Sequence, residues 1–435
     1  MDKDFVVPDE LWKCRETEGI DYQLNILYQN RIKMLKERIL ASAEEQYGND
    51  IKFSDFFSLR EGESGLLYGV IQLKMENRKS FIVNLEVDED ILLPNEDNRF
   101  GEKIKKSDKD CLNLVVKDYV LKLENIDIYK YCHGAVVGVY GSKMGDTQSF
   151  LVKDVIYPKP ALQKERIKTD KETLICFISD LRFSKDQDSE KENSLGFLLG
   201  QFQGGSTDLL EPFKDTFQNV ERIVVAGGSF DDSEFFKRSY NILDLKEPLI
   251  SHEQITEADK YFESLTKFAP VHVMPGICDV GSGSWPVQAP FRRVYQRCNK
   301  LINNFFLTTN PVFFESNGVV FLGISGESVA DILKTRTDAH CLDVMEDLLK
   351  CQHLSPSAPD NMSVFVNKTT DHMVLNRTPH VFFCGGQSKH ERRKIKLGNY
   401  EVLLITLPSF STTNTVLFFN TKTLETFDST LNMCT

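Results

Sequence analysis

Four short apolar runs break abruptly into turns, and the residues on those turns are the ones best placed to do chemistry. Thr173–Asp180 (TLICFISD) ends on Asp180, and Arg222–Gly228 (RIVVAGG) ends on a Gly pair. Phe268–Gly276 (FAPVHVMPG) ends on Pro-Gly, with Asp279 just beyond, and Pro379–Ser388 (PHVFFCGGQS) runs through Gly385-Gly386. Each reads as a buried strand delivered into a tight turn. In a layered α/β fold, turns that follow strand C-termini gather on one edge, where active sites are normally built. The side chains on the turns therefore decide whether a reaction is possible.

The spacing resembles the calcineurin-like metallophosphoesterases, whose turns carry D-x-H, G-D-x-x-D, G-N-H-[DE] and G-H-x-H, with a lone His before the last. That chemistry uses two metals about 3.5–4 Å apart, held by a bridging carboxylate and several imidazoles that also position a hydroxide in line with phosphorus. Against this pattern the set is broken. Arg182, a permanent cation, stands where the first His belongs. Gly228 offers no side chain for the bridging Asp, Ile277 and Cys278 replace Asn and His, and Gly386 and Ser388 replace the last two His residues. His353 matches the lone His, leaving it and Asp180 as the two remaining ligand positions. Two ligands do not hold a two-metal centre, so no catalytic residue, metal or cofactor is expected.

The elements needed to position these turns are legible around them. With 435 residues the chain has room for two or three domains, and 41% hydrophobic residues suffice for a sizeable core. No apolar run is long enough to span a membrane and the N-terminus is charged, so an intracellular protein is expected. Ten Cys fall mostly singly within apolar stretches, which favours reduced core thiols over disulfides or zinc. A net charge of −12 argues against gripping phosphate backbones. Residues 1–50 read as an irregular arm followed by an amphipathic helix over Leu24–Gln46, with Arg31, Lys33, Lys36, Glu37 and Arg38 between its apolar positions. Residues 51–158 carry strand-like runs at Leu66–Met75, Phe81–Val87, Cys111–Leu123, Gly134–Tyr140 and Ser149–Tyr157, which suits a five-stranded OB-fold barrel. The charged insertion Asp88–Asp110 reads as a mobile loop. Residues 159–172 read as a linker, and 173–435 as a two-sheet α/β sandwich. Its helices are placed at Thr256–Phe268 and Ala339–Cys351. Its further strands are placed at Val312–Glu315, Val319–Ile324, Val364–Val366, Val402–Leu407 and Val416–Asn420. Ser184–Asn193, charged and free of aromatic residues, reads as a disordered loop.

Several stretches together carry a second, more specific resemblance: Met274-Pro275-Gly276 with Asp279, Thr309-Asn310-Pro311, Phe321–Gly326, His353–Asp360, Pro379–Gly385 and Leu407–Ser411. In order and spacing the chain resembles the small (B) subunits of the replicative DNA polymerases alpha, delta and epsilon, the delta type most of all. Gly386, in place of a typical Asn, and the stretch Gly281–Ser284 depart from that pattern. The resemblance implies an OB-fold joined to an inactivated phosphoesterase domain, in a nuclear, non-catalytic scaffold acting in DNA replication and repair. It also implies two partners. One is the catalytic subunit, held through its cysteine-rich C-terminal module, and the other is an accessory third subunit on the OB side; DNA is reached only through the complex. The alternative is an active metal-dependent phosphodiesterase or exonuclease with degenerate ligands.

Plainer readings stand beside these. Asp180 can cap its turn, His353 can hydrogen-bond the Leu-Ser-Pro turn, and His272 and His380 fit a core. Asp231 and Asp232 suit a helix N-terminus. Trp285, Pro290 and Phe291, in a Gly/Pro-rich stretch, are either partner-binding anchors or local core.

Overall fold

The computed structural model describes residues 5–6, 25–78, 103–117, 119–145, 148–167, 170–185, 189–203, 216–217, 219–231, 250–281 and 283–431. Helix α1 spans Asn25–Tyr47 and buries Leu27, Leu35, Ile39 and Ala43, a stripe at multiples of four residues. That stripe lies on a closed barrel of β2 (Ser64–Lys74), β3 (Cys111–Val116), β4 (Tyr119–Glu124), β5 (Val136–Met144) and β6 (Ser149–Ile156), joined in the order β2-β3-β4-β6-β5. Gly138 lets the helix seat closely, since a Cβ there would lie 2.6 Å from Ile39 Cγ2. The count of five strands holds by a different route from the one expected. Phe81–Val87 falls outside the described residues, and Cys111–Leu123 folds as the antiparallel pair β3 and β4.

The rest of the chain forms two six-stranded sheets face to face. One runs β1-β11-β12-β13-β15-β14 and the other β10-β9-β8-β7-β16-β17. The first holds β1 (Phe5–Val6), β11 (Val312–Ser316), β12 (Val319–Ile324), β13 (Val381–Gln387), β14 (Arg392–Leu397) and β15 (Tyr400–Pro408). The second holds β7 (Leu174–Ile178), β8 (Val220–Ala226), β9 (Val271–Met274), β10 (Phe305–Leu307), β16 (Thr415–Asn420) and β17 (Thr426–Thr430). Between them lies an apolar layer that includes Phe177, Val224, Phe321 and Phe383, with the Phe177 and Phe383 rings 4.9 Å apart. Helices α2 (Ser189–Phe202) and α3 (His252–Leu265) cover the outer face of the second sheet. Helices α4 (Glu327–Thr335) and α5 (Cys341–Cys351) cover the first sheet, in a core that continues into the barrel through Ile71, Leu112 and Cys132. A short helix, α6, spans Phe410–Thr413. Among the described residues no helix is long and apolar enough to cross a membrane.

Four expectations are corrected. The charged run Ser184–Asn193 is helical from Ser189 onward. Val364–Val366 is no strand, because only Val364 pairs, in a single bridge to Trp285. The end of the insertion is docked, with Ile104 N donating to Lys334 O at 2.8 Å. Arg31, placed between the apolar positions of the amphipathic helix, is fully buried.

Candidate functional site

The turns do converge, and they meet backbone to backbone. Asp180 N donates to Gly227 O at 2.9 Å, Arg182 N to Gly228 O at 3.0 Å, and Gly227 N to Met274 O at 2.9 Å. From the facing sheet, Gly386 N donates to Ser179 Oγ at 2.7 Å. Glycine makes this approach possible. Gly228 has φ +66°, and a Cβ there would lie 1.9 Å from Asp180 Oδ1, so no side chain fits while Asp180 holds its place. At Gly385 a Cβ would come within 2.3 Å of Ala226 O.

Asp180 itself adopts φ +68°. Its Oδ2 accepts a hydrogen bond from Ser409 Oγ at 2.7 Å and lies 3.6 Å from Arg182 Nε. The carboxylate thus has a turn-forming partner, and the Arg182 guanidinium sets a positive charge beside it. Asp279 ties the third turn to the second. Its Oδ2 accepts from Gly276 N at 2.7 Å and Ser229 N at 3.1 Å, and its Oδ1 from Phe230 N at 2.9 Å. Burial pushes its carboxyl up to about 7, against those three donors, which favour the charged form. Ile277 is half-buried against the core and its N donates to Glu327 Oε1 at 2.9 Å. Cys278 is a half-buried reduced thiol, and Ser388 is exposed.

Glu327 opens α4 and accepts the Ser325 hydroxyl, which in turn accepts a hydrogen bond from Asn310 Nδ2. Sequence reasoning missed this buried chain. Its one local sign is the Ser325-Gly326-Glu327 run directly after β12, a helix start with an acidic first turn.

His353 is not turned toward the other turns. Its Nδ1 accepts from Ser355 N at 3.1 Å and its Nε2 donates to Asp371 Oδ2 at 2.9 Å. Arg31 Nε donates to that same oxygen at 2.8 Å. Among the described residues no group of three or more His, Cys, Asp or Glu side chains is placed to hold a metal. His380 accepts from Val320 N at 2.9 Å and donates to Lys164 O at 2.7 Å. His272 stacks on Phe306 with ring centroids 4.6 Å apart. Asp231 lies outside any described helix, its N donating to Phe183 O at 3.0 Å, and Asp232 is beyond the described residues.

Trp285 is fully buried and held by backbone bonds to Ser363 and Phe365, and Pro290 is buried as well. Both belong to local core, so the reading of them as surface anchors is corrected. Phe291 alone of the three is exposed, at 86%.

The family model for the B subunit of DNA polymerases alpha and epsilon matches residues 175–393, which run from β7 into β14 and include the four turns. The chain belongs to that family. A second model, the DNA polymerase delta subunit OB-fold domain, matches residues 23–155, which takes in α1 and the barrel up to, but not including, the last residue of β6. Among curated relatives, the probable DNA polymerase delta small subunit of Caenorhabditis elegans is 28% identical over 415 residues, covering 92% of this chain and 90% of its own. The DNA polymerase delta small subunit of rice is 31% identical over 310 residues, covering 70% and 69%. That of Saccharomyces cerevisiae is 24% identical over 459 residues, covering 95% and 90%. The resemblance to the delta type therefore holds along nearly the full length of the chain.

Proposed function

We propose that the chain is a non-catalytic scaffold subunit of replicative DNA polymerase delta, acting in the nucleus in replication and repair. Its two-sheet unit, residues 173–435, is a calcineurin-like phosphoesterase domain that has lost its metal ligands. Together with the OB-fold of residues 51–158, it joins the catalytic subunit's C-terminal metal-binding module to an accessory subunit on the barrel side. The observation that carries the loss of catalysis is the pairing of Gly228 with Asp180. The position that would bridge two metals has no room for a carboxylate, and Asp180 already faces Arg182. A fold kept well packed without its reaction is useful for its surface.

The test is hydrolysis of bis-p-nitrophenyl phosphate by the purified chain with manganese or zinc. No turnover above buffer is expected. Turnover that disappears in Asp180→Ala would overturn the scaffold reading in favour of a phosphodiesterase with degenerate ligands.

A further inference from the structure

Between Asp279 and Glu315 the sequence has no Asp or Glu, yet it carries Arg292, Arg293, Arg297 and Lys300 in a chain of net charge −12. All four cations lie in the part of it that connects β9 to β10, and the second half of that connection is held rigidly. Arg292 turns inward and donates to four backbone carbonyls: Phe305 at 2.7 Å, Leu301 at 3.1 Å, Cys298 at 3.2 Å and Asn299 at 3.3 Å. Asp259 of α3 accepts from Arg297 N at 2.7 Å and Cys298 N at 3.0 Å. Tyr295 and Cys298 are buried beneath.

On this braced segment two large apolar side chains face water, Phe291 at 86% and Ile302 at 71% exposure. The Arg292 side chain binds the carbonyl just before Ile302 and follows Phe291 in sequence, so one guanidinium draws the neighbourhoods of both together. Arg293 and Lys300 are exposed and form no ion pair among the described residues. A folded chain gains nothing by holding these apolar groups out, whereas a partner that covers them loses little freedom in doing so.

We infer that residues 290–303 are the docking face for the polymerase's catalytic subunit, which meets it with an acidic surface and an apolar pocket that receives Phe291. This rests on the scaffold reading and gives it a surface. The cations favour an acidic partner and speed encounter, while the exposed aromatic is the kind of anchor that concentrates binding energy. Single-stranded nucleic acid fits less well, because it needs successive aromatic platforms and Tyr295 and Phe305 are both buried.

The experiment measures affinity of the full-length chain for the full-length catalytic subunit, at low and physiological salt. Phe291→Ala/Ile302→Ala is expected to weaken binding about thirtyfold or more. Arg293→Glu/Lys300→Glu is expected to slow association and to flatten the salt dependence. All four side chains are exposed, so both variants should melt like wild type. Wild-type affinity in both variants overturns this surface and leaves the scaffold standing. Failure of the wild-type chain to bind the catalytic subunit overturns the scaffold reading, and this surface with it. If Arg293→Glu/Lys300→Glu keeps subunit affinity but lowers the assembled complex's affinity for a single-stranded oligonucleotide, the face belongs to nucleic acid and the inference is overturned.

Discussion

His353 stands where the phosphoesterase resemblance would put a metal-binding imidazole, yet both its nitrogens already have partners, and those partners fix it as the neutral Nε2–H tautomer. Burial first, and Arg31 second, push it down to about 4. In the unfolded chain it returns to about 6.5. Between those values the unfolded state binds a proton that the native state refuses, so His353 contributes stability that is full above about pH 6.5 and is lost as pH falls through about 4. Asp371, held well below the usual carboxylate range by His353 and Arg31 despite its burial, acts in the same direction at lower pH. Asp279, pushed up to about 7, acts oppositely, and its contribution is lost as pH rises from about 4 through 7. The variant His353→Gln should therefore reduce the rise of unfolding free energy between pH 4 and 6.5 by about one proton's worth, read from denaturant midpoints across pH. An unchanged slope would mean that His353 is not held neutral. The identities at 182, 228, 277, 278, 386 and 388 were legible in the sequence, because a motif position is read directly from its residue type. The Asn310–Ser325–Glu327 chain was not, because strand register and the placing of α4 bring its members together.

At the scale of elements, α1 shows where periodicity stops being informative. Its extent was legible to within a residue or two from the spacing of Leu27, Leu35 and Ile39, but Arg31 read only as one more charged residue between the apolar positions. Its partner, Asp371, lies 340 residues further on. Buried, Arg31 also donates to Gly134 O and Pro356 O at 2.7 Å and to Ala358 O at 2.8 Å, so one side chain joins the helix to a barrel loop and to the two-sheet unit. Arg31→Ala should cost about 3–5 kcal/mol, chiefly by stranding the Asp371 charge. Adding Asp371→Asn should recover part of that loss, with a coupling of about 1 kcal/mol or more in a double-mutant cycle. Strictly additive losses would show that the pair is not the source of the effect. Strands were less legible than helices. β14 went unrecognised because Arg392, Lys394 and Lys396 face outward on a sheet edge, and a cation-rich edge strand looks like a charged turn. Val364–Val366 erred the other way, because β-branched residues also line the loop that covers Trp285.

For the whole molecule, the sequence divides more sharply than the structure does. A polar stretch with two prolines reads as a linker into the second domain, but described residues in it are tied down: Lys159 N donates to Arg38 O at 2.9 Å, and Gln163 Nε2 to Pro379 O at 2.8 Å. One apolar core runs from Ile71 and Leu112 of the barrel to Val344, Leu348 and Phe382 of the two-sheet unit, and Trp285 is part of it. Neither half can open without exposing surface that the other covers, so barrel and sandwich should unfold as one cooperative unit. With Trp12 replaced by Phe, Trp285 becomes the single indole and reports on the shared core, while far-UV circular dichroism reports on both halves. The two denaturant curves are expected to coincide, with one midpoint and one slope. A circular-dichroism signal that persists well beyond the Trp285 transition would instead mean two separable domains joined by a true linker. A body that unfolds as one piece holds its surfaces at fixed distances, which is the property a subunit needs if it is to set the geometry between two partners.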